Sequence, residues 1–419
     1  MKKILWFSNL VFSETTIKSS GTWLNAMGWA LASREDVQLI NISQARVQTV
    51  SRVDCGKILQ WVVPYEKLRR NGLPSKLTMK GIADVVSVVQ PDLIHVWGTE
   101  NYWGLLTARK LLTQPALLDM QGIKYAIAPK MMGDLTFSEI LKCISVKEFL
   151  RPSSFFFCSQ ANFEKGRRFE EEIIQGHRFV AVQSNWVRAH VEAVSQASQI
   201  FPTRILLRHE FMEAPPWQVK QKSDSPVIFT PSGCSIPYKG LHVLLRALAI
   251  LKKTYSCIRL VVGGALPQAG IRRSGYERWL LREVNRLNLS ENVFFLGSLS
   301  AQEIIHQFNL ASVAVIPSFI ESYSLSLAEA MVAGVPVVVS YAGAMPELAE
   351  EDKSALFFPS GDAVMCACRI KELLESPNLS MRLSVNARQV GRLRHNPSDV
   401  VKRQLEIYDA ILDPTPCCL

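Results

Sequence analysis

Short apolar runs alternate with longer amphipathic stretches along this chain, and the alternation occurs twice. Lys3–Asn9, Val37–Ile42, Leu93–Trp97, Ala116–Met120 and Phe179–Gln183 read as strands, with helical stretches such as Thr22–Arg34 and Leu77–Val89 between them. The pattern restarts with Val227–Phe229, Ile258–Val262, Val293–Phe295, Val313–Ile316 and Val337–Ser340. Their connections read as helices at Leu241–Leu251, Gly275–Leu287, Ala301–Phe308 and Leu325–Val332. A strand that is apolar on both faces cannot leave one face in water. It belongs in a parallel sheet covered by helices on either side. Two such sets predict two doubly wound α/β domains, residues 1–210 and 211–397, with the boundary in the polar, proline-bearing stretch 206–222. A last helix, about 398–412, begins at a Ser398-Asp399 cap after Asn396-Pro397 and is expected to cross back onto the first domain.

Composition narrows the function classes. With 419 residues, 48% hydrophobic and 9% aromatic, the chain can bury two cores and is not a disordered protein. No apolar run approaches the roughly 18 residues of a membrane span. The opening Met1-Lys2-Lys3 and its apolar run are broken at Ser8-Asn9, without a cleavage site, so a cytoplasmic location is expected. Nine cysteines without a CxxC pair read as free thiols, and Cys417-Cys418 as a frayed tail. The net charge of +10 is uneven: residues 1–210 hold 26 basic against 18 acidic residues, the remainder 21 against 19. Lys67, Arg69, Arg70, Lys76 and Lys80 form the densest run, suited to acidic lipid or a pyrophosphate-bearing substrate, or else an ordinary solvated face. No helix-turn-helix, RNP or zinc pattern accompanies the charge, so nucleic acid is not an expected partner.

Two common phosphate motifs are missing. The loop after the first strand has a single glycine, Gly21, where a dinucleotide fingerprint needs three, and no Walker sequence occurs. The informative segment is Pro317–Leu348, PSFIESYSLSLAEAMVAGVPVVVSYAGAMPEL. A strand ends at Pro317, a loop carries Glu321, and Ser324, Leu325 and Ser326 open a helix carrying Glu329. Unpaired N–H groups at such a helix start favour a phosphate. Glu329, about one turn inside, is placed to accept from a ribose, and Glu321 reaches further out towards a sugar.

This constellation resembles the Glu-x7-Glu motif of the retaining GT-B glycosyltransferases of family 4. Thr230-Pro231-Ser232-Gly233 followed by Lys239-Gly240 is similar to that family's loop, whose lysine meets the donor diphosphate. Gly297-Ser298-Leu299 resembles its base-reading turn, Gly343 with Pro346-Glu347 its G-x-x-P-E segment, and Ser360-Gly361-Asp362 a later one. Gly21-Thr22 resembles the loop that approaches the donor phosphates. Gln121-Gly122 stands where many members have His-Gly, near the transferred sugar. Pro91–Glu100 is similar to a strand-to-loop segment of bacterial members, putting His95, Trp97, Thr99 and Glu100 on the acceptor side. On its own residues, His95 on so apolar a strand also reads as a core histidine.

The resemblance implies two Rossmann-like domains facing a central cleft, with Lys239, Glu321 and Gln121 catalytic. It implies donor contacts from Gly21, Thr22, Gly233, Lys239, Gly297, Ser298, Leu299, Glu321, Ser324, Leu325, Ser326 and Glu329. The implied reaction is retaining transfer from a nucleotide sugar, with neither metal nor resident cofactor. A lipid-linked saccharide in surface polysaccharide assembly is the expected acceptor, and the inner membrane face the expected place of contact. One departure is Cys234, where many members carry an arginine that shares the diphosphate charge with the lysine. The alternatives are a non-catalytic nucleotide-sugar-binding protein and a GT-B epimerase or phosphorylase.

Overall fold

The structure is a computed structural model and describes residues 1–13, 22–145, 148–149, 156–220, 225–231, 236–264 and 273–413. The chain forms two compact units. The first comprises Met1–Lys124, Gly166–Arg208 and His395–Leu419, the second Tyr125–Lys165 and His209–Arg394.

The first unit holds strands β1 (Lys2–Phe7), β2 (Val37–Ala45), β3 (Ser51–Val53), β4 (Leu59–Pro64), β5 (Leu93–Trp97), β6 (Ala116–Asp119), β7 (Phe179–Val182) and β8 (Gln199–Pro202). They order as β3-β4-β2-β1-β5-β6-β7-β8, parallel except for β3 against β4. The second unit holds β9 (Val227–Thr230), β10 (Arg259–Gly263), β11 (Val293–Gly297), β12 (Val313–Ile316), β13 (Val337–Tyr341) and β14 (Leu356–Pro359). Their order is β11-β10-β9-β12-β13-β14, parallel throughout. Strand order reverses between β1 and β5 in one sheet and between β9 and β12 in the other. Open α/β sheets take ligands at the carboxyl ends of the strands flanking such a reversal.

Two segments depart from a simple division at residue 210. Residues 125–165 were expected within the first domain but belong to the second unit. Leu135, Ile140 and Cys143 are buried in the core that contains Tyr276, Trp279 and Leu244. Gly275 packs so closely that a Cβ there would lie 1.5 Å from the Cys143 carbonyl oxygen. The helix Pro397–Leu412 joins the core of the first unit through Val400, Ile407, Tyr408 and Ile411. Its cap is Asn396, which accepts from the N–H groups of Ser398 and Asp399, in place of the expected Ser398-Asp399. Among the described residues no helix is long and apolar enough to cross a membrane.

Candidate functional site

At the reversal of the second sheet, two backbone locks bring a lysine and a glutamate together. Lys239 ends a short 3-10 turn, Pro237–Lys239, and Gly240 follows at φ +75°, a left-handed conformation that glycine adopts without strain. A Cβ on Gly240 would lie 1.9 Å from the Pro317 carbonyl oxygen, and Phe319 N–H donates to the Tyr238 carbonyl at 2.7 Å. The turn after β9 and the loop after β12 are thus seated on each other. Lys239 Nζ donates to Glu321 Oε1 at 2.7 Å, and Ser318 Oγ donates to the same oxygen at 2.7 Å. Burial pulls the lysine pKa down, but the Glu321 carboxylate outweighs it and holds Lys239 above its ordinary value.

The loop carrying Glu321 is braced from behind. Ala344 N–H donates to the Glu321 carbonyl at 2.9 Å, and Gly343 comes so close that a Cβ would sit 2.1 Å from that oxygen. Ser340 Oγ donates to the Ser318 carbonyl. The helix Leu325–Ala333 starts immediately downstream with Ser324 as cap, its hydroxyl accepting from Leu327 N–H. Leu325 and Ser326 form the first turn, and Glu329, one turn in, is buried. At the ends of β10 and β11, Gly264 N–H donates to the Gly297 carbonyl at 2.9 Å. Leu299 and Pro231 close on Gly263, and Ser298 is exposed. All these groups lie along one carboxyl edge of the sheet. Gly21, Ser232, Gly233 and Cys234 lie outside the described residues, as does the Thr22 side chain, although Thr22 opens the first helix.

The Lys239–Glu321 pair is backed by a polar array that the sequence pattern does not announce. His242 is buried, with Nδ1 2.9 Å from Tyr276 Oη and Nε2 2.5 Å from Asp134 Oδ1. Its ring stacks on Phe319, with centroids 5.8 Å apart and planes 8° apart. Arg246 donates to Asp134 and Glu139. Burial pushes the His242 pKa down, so it is neutral, donating from Nε2 and accepting at Nδ1. Only long-range packing brings Asp134 to His242, so no local signal could have found the pair.

The first unit sets Gln121 at the carboxyl edge of its own sheet. Gln121 Nε2 donates to Asp119 Oδ1 at 2.6 Å, and Gln183 Nε2 donates to the same oxygen at 2.5 Å. Burial drives the Asp119 pKa well up. With its amide nitrogen bound to Asp119, Gln121 directs Oε1, an acceptor, the other way. Glu100 turns inward, Oε1 accepting from Gly122 N–H at 2.9 Å and its carbonyl accepting from Lys124 Nζ at 2.6 Å. Burial raises the Glu100 pKa against those contacts. Thr99 is buried and donates to Glu170 Oε1 at 2.6 Å.

His95 and Trp97 need correction as acceptor-side residues. They are 0% and 4% exposed, stacked at 4.0 Å, and His95 is bound to Tyr408, so neither presents a surface to a substrate. A fully apolar strand buries every side chain it carries, and these two follow that rule.

Solved structures share the fold. The sucrose-phosphate synthase of Thermosynechococcus elongatus superposes with a TM-score of 0.70 at 17% identity, covering 99% of this chain and 100% of that one. Anabaena HepE in complex with UDP and glucose gives 0.64 at 17% identity, over 98% and 100%. These likenesses carry the fold, which is GT-B. The MMP alpha-(1->4)-mannosyltransferase of Mycolicibacterium hassiacum is 29% identical over 192 residues, 46% of this chain and 44% of that protein. The leading curated relatives are matched over less than half of their own length. Residues 216–390, which fall inside the second unit, match the model of the glycosyl transferases group 1 family. Through that unit, the chain is similar to the glycosyl transferases group 1 family.

Proposed function

We propose that the chain transfers a sugar from a nucleotide-sugar donor to an acceptor hydroxyl with retention at the anomeric carbon. The observation that carries this reading is the Lys239–Glu321 pair, 2.7 Å apart at the strand-order reversal, beside a capped helix start. Lys239, held charged by its partner, has further N–H groups for the diphosphate oxygens. Together with the amide dipoles at Leu325 and Ser326, it stabilises the charge that develops as the C1–O bond to phosphate breaks. Glu321 and Glu329 orient sugar and ribose. The acceptor oxygen bonds to C1 from the face the diphosphate leaves, and its proton passes to the departing phosphate oxygen. No side chain has to titrate, which suits Gln121 as a fixed acceptor. The donor-domain match supports a nucleoside diphosphate sugar as donor, and so does the likeness to HepE, a protein solved in complex with UDP and glucose.

For the acceptor we propose a lipid-linked saccharide met at the inner membrane face, as in surface polysaccharide assembly. Lys67, Arg69, Arg70, Lys76 and Lys80 are all exposed on the first unit, ready for an anionic surface.

The test is turnover with a panel of UDP- and GDP-sugars against free and lipid-linked acceptors, with the product anomer read by NMR. Lys239→Ala and Glu329→Ala are each expected to lose at least about tenfold in turnover. Wild-type rates in both variants would overturn these roles. Binding of nucleotide without turnover of any donor would favour the non-catalytic alternative, and an inverted product would remove retention.

A further inference from the structure

The helix Leu241–Leu251 buries one polar side chain, His242, among apolar ones, and it stands three residues after Lys239. A leucine or phenylalanine would fill such a place without taking two ring nitrogens out of water. His242 keeps both nitrogens bonded, Nε2 to Asp134 Oδ1 at 2.5 Å and Nδ1 to Tyr276 Oη at 2.9 Å. Bonds at two edges fix the ring in its plane, where a single bond would let it swing. Asp134 is held in turn. Arg246, one turn on from His242, donates to its Oδ2 at 3.1 Å and to Glu139 Oε1 at 2.8 Å. Glu139 closes a capping box with Thr136, so the acidic partner sits on a fixed support.

The face of the imidazole lies on Phe319, with the ring planes 8° apart. Phe319 has little room to slip aside. A Cβ on Gly133 would lie 3.1 Å from its ring and 3.0 Å from His242 Cε1, and a Cβ on Gly361 would lie 3.2 Å from the same ring. Phe319 N–H is bonded to the carbonyl of Tyr238, the neighbour of Lys239, and Glu321 follows two residues later. The imidazole therefore bears on both members of the ion pair. It reaches Lys239 through Leu241 and Gly240, and Glu321 through Phe319.

We propose that His242 is a positioning residue, whose ring, fixed by Asp134 and Tyr276, sets Phe319 and with it the approach of Lys239 to Glu321. That the pair then serves a donor diphosphate rests on the transfer reading; the positioning does not.

The first measurement needs no ligand. Lys239 is 27% exposed, so acetic anhydride can reach it, and only the neutral amine reacts. Mass spectrometry of the acylated full chain gives the rate at Lys239 relative to exposed Lys253. Loss of an ion pair that lowers the lysine pKa by about one unit gives about tenfold more neutral amine. Asp134→Ala and His242→Phe are expected to raise the relative rate about tenfold, and Asp134→Asn, which still accepts from Nε2–H, by no more than about twofold. Asp134 is 32% exposed, so its variants carry the test if the buried phenylalanine variant does not fold. In turnover, Asp134→Ala should lower kcat about tenfold with acceptor KM unchanged, and Asp134→Asn should restore it. Wild-type acylation of Lys239 in both Asp134→Ala and His242→Phe would overturn the proposal. So would equal acceleration in Asp134→Asn and Asp134→Ala, which would reduce the array to packing. Acylation as expected in a chain that turns over no donor would support the positioning and count against the transfer reading alone.

Discussion

Gly240 and Gly343 do the positioning that makes Lys239 and Glu321 a pair. At both, φ is positive and the space for a Cβ is taken by a carbonyl oxygen of the loop after β12. Gly343→Ala therefore has to push the Glu321 backbone away or adopt a strained φ. The expected result is a lower melting temperature together with a loss of at least about tenfold in turnover, larger in kcat than in thermal stability would suggest. Gly166 is the counter-case. It lies inside the helix Phe156–Gln175, and a Cβ there meets nothing within 4 Å. Gly166→Ala should stabilise the protein, by up to about 1 kcal/mol, through helix propensity alone. Parallel melts of the two variants decide the matter. If both lose stability alike, the contacts at Gly343 are not what its sequence position protects.

Elements in the core were readable to within a residue or two where their pattern was local. The spans Val313–Ile316 and Leu241–Leu251 coincide with the expected strand and helix, and Val227–Thr230 exceeds its expected strand by one residue. β3, β4, β8 and β14 were not read as strands. β3 and β8 are short, partly exposed edge strands whose pairing depends on a neighbour rather than on their own apolar period. Within the site, Glu321, Ser324 and Glu329 were legible because a strand end and a helix start mark them, and Lys239 only through the family resemblance. Asp119, Asp134 and His242 were not, since their roles exist only across long chain separations. The C-terminal helix carries a similar long-range tie. Trp6 Nε1 donates to Tyr408 Oη at 3.1 Å, and the same oxygen is hydrogen-bonded to His95 Nδ1, 2.8 Å away. Tyr408→Phe keeps the packing but strands two buried groups, at a cost of about 2–3 kcal/mol. Urea unfolding is expected to show that loss, and an unchanged midpoint would mean the hydroxyl is dispensable.

At the scale of the whole molecule, the backbone passes between the units at residues 124, 165, 208 and 394, so neither unit is one continuous stretch of sequence. Loosening a core therefore affects sequence on both sides of each passage. Acid is the plainest way to loosen one. His177 is buried and hydrogen-bonded between Thr107 and Ile173, and burial lowers its pKa to about 4. His95 and His242 are pushed down by burial as well. A histidine with a depressed native pKa takes up its proton in the unfolded chain first. Its contribution is complete above the ordinary value near 6.5 and is lost as pH falls towards the native value. Asp119 and Glu100 work the other way. Their raised pKa values favour the folded state at low pH and cost stability as pH rises from the ordinary carboxylate range. Between about pH 6.5 and 4.5 His177 alone contributes a slope of up to about 1.4 kcal/mol per pH unit, which Asp119 and Glu100 oppose. His177→Gln can replace both hydrogen bonds without titrating, so it should flatten the dependence of unfolding free energy on pH in that window, whatever its stability at pH 7. Denaturant titrations of wild type and variant across the window measure the two slopes. Equal slopes would mean that His177 binds protons alike in the folded and the unfolded chain, so that burial does not depress its pKa.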